Sequence, residues 1–308
     1  MILCAGEALI DMLPRTSTEG ERCFAPYAGG AVFNTAIALG RLGTPVGFFS
    51  GLSTDMLGEV LTETLAASHV DTSLAARSAR PTTVAFVKLV NGQATYAFYD
   101  ENTAGRLLAK ADIPALPDAV STVFVGGISL IHDPAASTYA TLQARAAAAG
   151  RVTMIDPNIR PGSIPDRASY TKRIAGMMAV ADIVKLSDED LHWLEGPGDP
   201  STLARGLIGR GAKLVLITEG AKGARAVNAT QDRFVAATPV TVADTVGAGD
   251  TFNAGVLASL HAAGALTKPG IAAMDAATLD AALSLGTRAA AVTVSRPGAN
   301  PPWAHELA

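Results

Sequence analysis

Asp244-Thr-Val-Gly-Ala-Gly-Asp250-Thr-Phe-Asn-Ala-Gly255 decides how the rest of the 308-residue chain is read. Phe252, Val256 and Leu260 recur at i, i+4 and i+8, the period of a helix with one apolar face. Gly247 and Gly249 precede it, so the backbone can turn tightly and approach a ligand. The first turn of such a helix leaves N–H groups unpaired, and its dipole favours an anion there. Asp250 falls at the same place. A carboxylate beside an anion hole repels phosphate unless it has other work, and taking a proton from an attacking hydroxyl is such work. The amides of Gly247, Ala248 and Gly249 would meet the charge that develops on a transferred phosphoryl group. An Asp after a glycine turn is also a common helix cap, and taken alone the run allows that.

The surrounding pattern is that of an α/β protein. Strands are expected at Ile2–Ala5, Val46–Ser50, Thr122–Val125, Val152–Ile155, Ile183–Leu186 and Leu214–Thr218. Helices are expected at Asn34–Leu42, Leu57–Ala67, Pro134–Ala149, Tyr170–Val180, Ser187–Leu194 and Ser201–Gly209, with two long ones, Asp250–Ala263 and Asp275–Ala290, near the end. This alternation predicts a mostly parallel sheet covered on both faces. Thr82–Val90 and Gln93–Tyr99 break the rhythm. Asn91-Gly92 between them is a strong hairpin signal. With Leu13–Tyr27 they would form a small separate sheet, a natural lid over about 13–27 and 82–100, with the aromatic strand Tyr96–Tyr99 as its apolar body. A second hairpin is expected from Gly223–Val227 and Arg233–Ala237.

Composition narrows the classes. Lys and Arg number 24 against 28 Asp and Glu, a net charge of −4, which gives no attraction to nucleic acid or an anionic membrane. No apolar run approaches about 18 residues, so no membrane span is expected. Cys4 and Cys23 make neither a disulfide framework nor a metal site, which fits a reducing cytoplasm. The opening Met-Ile-Leu-Cys-Ala-Gly-Glu reads as a strand, not a signal peptide. The five histidines lack ligand spacing. No Gly-x4-Gly-Lys-Ser/Thr run is present, and no Gly-x-Gly-x-x-Gly follows the first strand, which argues against P-loop kinases and nicotinamide dehydrogenases.

Other runs stand where parallel sheets bind ligands, beyond the carboxyl ends of strands. Gly6-Glu-Ala-Leu-Ile-Asp11 follows the first strand, so Asp11 is placed to accept hydrogen bonds from hydroxyls. Ala28-Gly29-Gly30-Ala-Val-Phe-Asn34 leads into a helix, and Asn34 can both donate and accept. Asp156-Pro-Asn-Ile-Arg160, Lys185-Leu-Ser187-Asp-Glu189-Asp190, Thr218-Glu-Gly220-Ala-Lys-Gly223 and Val294-Ser-Arg-Pro-Gly298 follow later strands or helices. Each can also be an ordinary turn or cap.

Taken together these runs resemble the signatures of the ribokinase-like carbohydrate kinases, also called the phosphofructokinase-B family, from Gly6 to Gly298 and in family order. The resemblance implies one ribokinase-like kinase domain over 1–308, a three-layer sandwich with a small β-sheet lid. It implies Asp250 as catalytic base with Gly247, Ala248 and Gly249 as anion hole. Asp11, Gly29, Gly30, Asn34, Tyr99 and Arg160 would hold the sugar. Lys185, Ser187, Thr218, Gly220, Gly223 and Gly298 would lie along ATP. Magnesium would be organised through Asp190 or Glu189, because the family's Asn-x-x-Glu reads Ser187-x-x-Asp190 here and the shorter acid reduces the reach. Carbonyls around Asp244 and Val246 would hold potassium in some relatives. The runs Gly6–Asp11, Tyr96–Ala104, and Asp156–Pro161 followed by Lys185–Glu189 are most similar to bacterial fructokinases, implying fructose 6-phosphate as product. A 2-keto-3-deoxygluconate kinase, a nucleoside kinase and a non-catalytic sugar-binding regulator are the rivals. Lids of this family often pair between subunits, which implies a homodimer.

Overall fold

The computed structural model describes residues 1–90 and 93–307. The expected Asn91-Gly92 turn lies outside them. Eight strands form the central sheet, in the order Asp232–Ala236, Gly223–Asn228, Leu214–Thr218, Ile183–Ser187, Val152–Asp156, Thr122–Gly126, Ile2–Ala5, Val46–Phe49. From Leu214–Thr218 onward all neighbours are parallel, and the Gly223–Asn228/Asp232–Ala236 hairpin closes one edge antiparallel. Strand side chains alternate between faces, and here both faces are apolar. Ile2 and Cys4 enter one core, and Leu3 and Ala5 enter the other. That is why the strands read as continuous apolar runs.

The first core is covered by helices Ala31–Arg41, Met56–Ala67, Ala248–Ala262 and Ala276–Val294. The second lies under Ala135–Ala148, Arg167–Val180, Asp188–Glu195 and Pro200–Gly209. Phe252, Val256 and Leu260 are all buried, as their spacing requires. Helix ends differ from the sequence reading by a few residues. A short helix Lys268–Ala272 and a two-stranded pair, Gly51–Ser53 with Ala76–Ser78, were not foreseen.

The separate small sheet has the order Arg22–Gly29, Leu9–Thr16, Thr83–Val90, Gln93–Tyr99. Its first two strands run further than the expected 13–27. Leu9 and Ile10 are buried where the sheet joins the main body, so the strand starts in the core. Asp11 therefore sits inside a lid strand and not in a turn after the first strand. Register separates the two lid faces. Asp11 pairs with Tyr27 and Ala85, and Ala85 pairs with Phe98, so these share one face. Met12, Phe24, Phe86 and Tyr99 belong to the other, where Phe86 contacts both Phe24 and Tyr99 edge-on at 5.0 and 5.5 Å.

Candidate active site

The Ala248–Ala262 helix begins after Gly247, whose φ of 78° is the left-handed conformation that only glycine adopts cheaply. No side chain caps this end. Among the described residues the amides of Gly247, Gly249 and Asp250 donate to nothing, and Ala248 makes one long bond of 3.4 Å to the Thr245 carbonyl. An uncapped N-terminus of this kind is an anion site. By contrast, the Asp188–Glu195 helix is capped by Ser187, whose hydroxyl accepts from the Asp190 amide at 2.9 Å.

Asp250 is buried. Asn34 Nδ2 donates to its Oδ2 at 2.9 Å, and Thr35 Oγ1 donates to its backbone carbonyl at 3.1 Å. Gly30, with φ of 115°, opens the Ala31–Arg41 helix that carries both partners. Burial pushes the Asp250 carboxyl up to about 7; the Asn34 hydrogen bond opposes the rise, and Asp156 adds to it. Asp11 is raised to about 6 by burial. Its Oδ2 leans over Gly29, where an added Cβ would lie 2.5 Å away. Glu7, just before it, braces this end: its carboxylate accepts from the Ala31 amide at 2.8 Å and the Ser129 amide at 3.3 Å.

On the other side of the same helix turn lies a groove of about 720 Å³. Ser187, Glu189, Thr218, Gly220, Gly223, Ala248 and Gly249 line it, together with an apolar wall that includes Val240, Val242, Phe252, Ala290 and Val294. An apolar wall beside a polar floor suits a flat heterocycle carrying phosphates. Val240, Val242 and Ala290 were missed by sequence reasoning, because small apolar side chains in a loop and a long helix carry no motif.

The remaining anticipated residues are held by other contacts. Lys185 is buried and bonded to Asp156 Oδ2 at 3.0 Å, beneath the groove floor. Asp190 turns away from the groove; its Oδ2 accepts from the Ile159 amide at 3.3 Å, and burial, then Asp156, raises it to about 6. Arg160 donates to the carbonyls of Asn158 and Ile159 at 3.3 and 3.1 Å. Gly298 joins the Asp244 loop, since Asp244 accepts from the amides of Val246 and Gly298, each at 3.0 Å. Tyr99 is on the lid face opposite Asp11, and its neighbour Phe98 is the one that shares the Asp11 face with Tyr27.

Comparison with known proteins follows this geometry. Residues 1–306 match the model of the pfkB family carbohydrate kinases. A fructokinase of Rhizobium leguminosarum bv. trifolii is 58% identical over 275 residues, spanning 89% of this chain and 84% of that protein. The structure of a fructokinase with bound ATP from Xylella fastidiosa is similar at a TM-score of 0.89 and 30% identity, covering 99% of this chain and 97% of that one. Aminoimidazole riboside kinase from Salmonella enterica is similar at a TM-score of 0.86 and 25% identity, covering 99% and 97%.

Proposed function

The chain belongs to the pfkB family of carbohydrate kinases, and we propose that it transfers the γ-phosphoryl group of ATP to fructose, giving fructose 6-phosphate and ADP. The observation that carries the reading is the buried Asp250 carboxylate at an uncapped helix end, with a nucleotide-sized groove on one side and Asn34 on the other. The relative at 58% identity, a fructokinase, supports the sugar. Fructose would bind between Asp250 and the lid face of Asp11, Tyr27 and Phe98. Asp250 takes the proton of the primary hydroxyl, and that oxygen forms a bond to the γ-phosphorus. The bond from γ-phosphorus to the bridging oxygen breaks, and ADP keeps the electron pair. The amides of Gly247 to Asp250 receive the charge that gathers on the phosphoryl oxygens. A base with pKa about 7 is well matched to this task near neutral pH.

Magnesium, when bound with the nucleotide, would neutralise phosphate charge. Such an ion takes one or two protein carboxylates and fills its remaining positions with phosphate and water. Glu189, which lines the groove, is the residue we assign to hold it, in preference to Asp190, which is committed to Ile159. Carbonyls of the 244–246 loop, braced by Asp244 against Gly298, would hold a potassium ion. No helix among the described residues is long and apolar enough to cross a membrane, and we assign the activity to the cytoplasm.

The test is turnover of the purified chain with ATP against fructose, 2-keto-3-deoxygluconate, ribose and aminoimidazole riboside. The highest kcat/KM is expected with fructose. Removing the Asp11 carboxylate leaves sugar hydroxyls unpaired, which costs about 1–3 kcal/mol. Asp11→Ala should therefore raise the KM for fructose by one to two powers of ten, roughly, with the KM for ATP little changed. Preference for another sugar would reject fructose; no turnover with any would reject the kinase.

We further propose that two copies pair through their lids. Phe24 and Tyr99 are 52% and 64% exposed on one face with Phe86 between them, an aromatic row that a partner would cover. Light scattering should give twice the chain mass, and Phe24→Glu with Tyr99→Glu should give one. A parental monomer would reject the pairing.

A further inference from the structure

Three polar side chains lie buried beneath the anion hole and take no part in the steps above. Asp156 ends the Val152–Asp156 strand, Lys185 lies in the neighbouring Ile183–Ser187 strand, and Asn253 follows Asp250 by three residues in the Ala248–Ala262 helix. Lys185 Nζ and Asn253 Nδ2 both donate to Asp156 Oδ2, at 3.0 and 2.7 Å. The lysine and aspartate side chains are each 2% exposed. A Cβ built on Gly249 would lie only 3.0 Å from Lys185 Nζ. The ammonium therefore rests against the backbone of the first helical turn, and the opposite side of that turn faces the groove.

A buried ion pair is a poor source of stability, because desolvation offsets most of the attraction and a well-packed apolar pair often does as well. Its placement needs another reason. Both donors converge on one carboxylate oxygen, which disperses the charge of Asp156. Asn253 Oδ1 has no partner among the described residues, so this amide serves Asp156 through its NH2 group alone. What reaches Gly249 is the positive end of the network. In a water-excluded interior a fixed charge acts across several ångströms, and it needs no reorganisation when the reaction occurs.

We propose that Lys185, held by Asp156 and Asn253, is a positioning residue for phosphoryl transfer: its buried ammonium backs the Gly249 amide and stabilises charge developing in the groove without touching ATP or sugar. The inference rests on the kinase reading above. It also reassigns Lys185, expected from the sequence along the nucleotide, to the protein side of the anion hole.

The experiment uses the full chain with Lys185→Met and with Asp156→Asn plus Lys185→Met together. The single variant leaves Asp156 buried with its charge uncompensated and can fail to fold. The double variant removes both charges and keeps the volume. Its kcat should fall by about 10²-fold, the loss typical of one anion-hole donor, with both KM values within about threefold of the parent. Binding of ADP should be unchanged. The tighter binding of ADP with fructose and aluminium fluoride, a mimic of the transferring phosphoryl group, should be lost. A folded double variant with parental kcat would make the pair merely structural and overturn the proposal. A rise in the KM for ATP equal to the loss in kcat would mean direct nucleotide contact and would also overturn it. A parental chain that turns over no sugar defeats the kinase reading instead, so the two failures are distinct.

Discussion

Asp250→Asn is expected to lower kcat by about 10²- to 10⁴-fold, the usual worth of general base catalysis, with little change in the KM for fructose. The substitution keeps the size and the Asn34 contact and removes the basic oxygen. The pH profile carries an independent sign. The base must be ionised, and burial raises its pKa to about 7. In the parent, kcat/KM should be flat above about pH 7 and fall about tenfold per unit below it, since only the ionised fraction reacts. Asp250→Asn should lose that limb along with the rate. Near-parental turnover in the variant, or an acid limb still centred near pH 7 in it, would move the base elsewhere, whereas a limb near 6 belongs to Asp11 and sugar binding.

The neighbourhood of Asp250 was legible because its chemistry is local. Glycines at 247 and 249, an acid at 250 and an apolar stripe at 252, 256 and 260 specify a tight turn, an uncapped helix end and a buried face within one short run. The parallel sheet was legible for the same reason, since strands covered on both faces read as unbroken apolar runs. What escaped depends on phase or on distance. In Tyr96-Ala-Phe-Tyr99 aromatic residues fall on both faces of the strand, and a slip of one residue exchanges them, so Tyr99 could not be told from Phe98. Glu189 and Asp190 are adjacent on a helix and point in different directions; without the packing of that helix neither can be preferred. Lys185 is a single cation in an apolar strand. Its partners stand at positions 156 and 253, and only the fold brings them together.

The helix that carries Asp250 is fixed by a second contact whose test gives the other large effect. Gly255, beyond the first turn, meets Gly286 on the Ala276–Val294 helix. A Cβ added at Gly255 would lie 2.7 Å from Gly286 Cα and 2.9 Å from the Leu285 carbonyl oxygen. Both are backbone atoms of a packed helix and cannot yield as a side-chain tip can. Helix propensity makes the opposite demand, since Ala in place of Gly within a free helix gains about 1 kcal/mol. If packing governs, Gly255→Ala should destabilise in spite of this, by about 1–3 kcal/mol, and Gly255→Leu by about 3 kcal/mol or more. Urea denaturation reads the sign directly. The Leu variant should also lose activity at temperatures where it remains folded, because moving the helix axis shifts Asp250 from Asn34 and Gly249 from Lys185 together. A Gly255→Ala chain more stable than the parent would mean that the two helices are free to separate, and that the geometry of the anion hole is held by the loop before Gly247 alone.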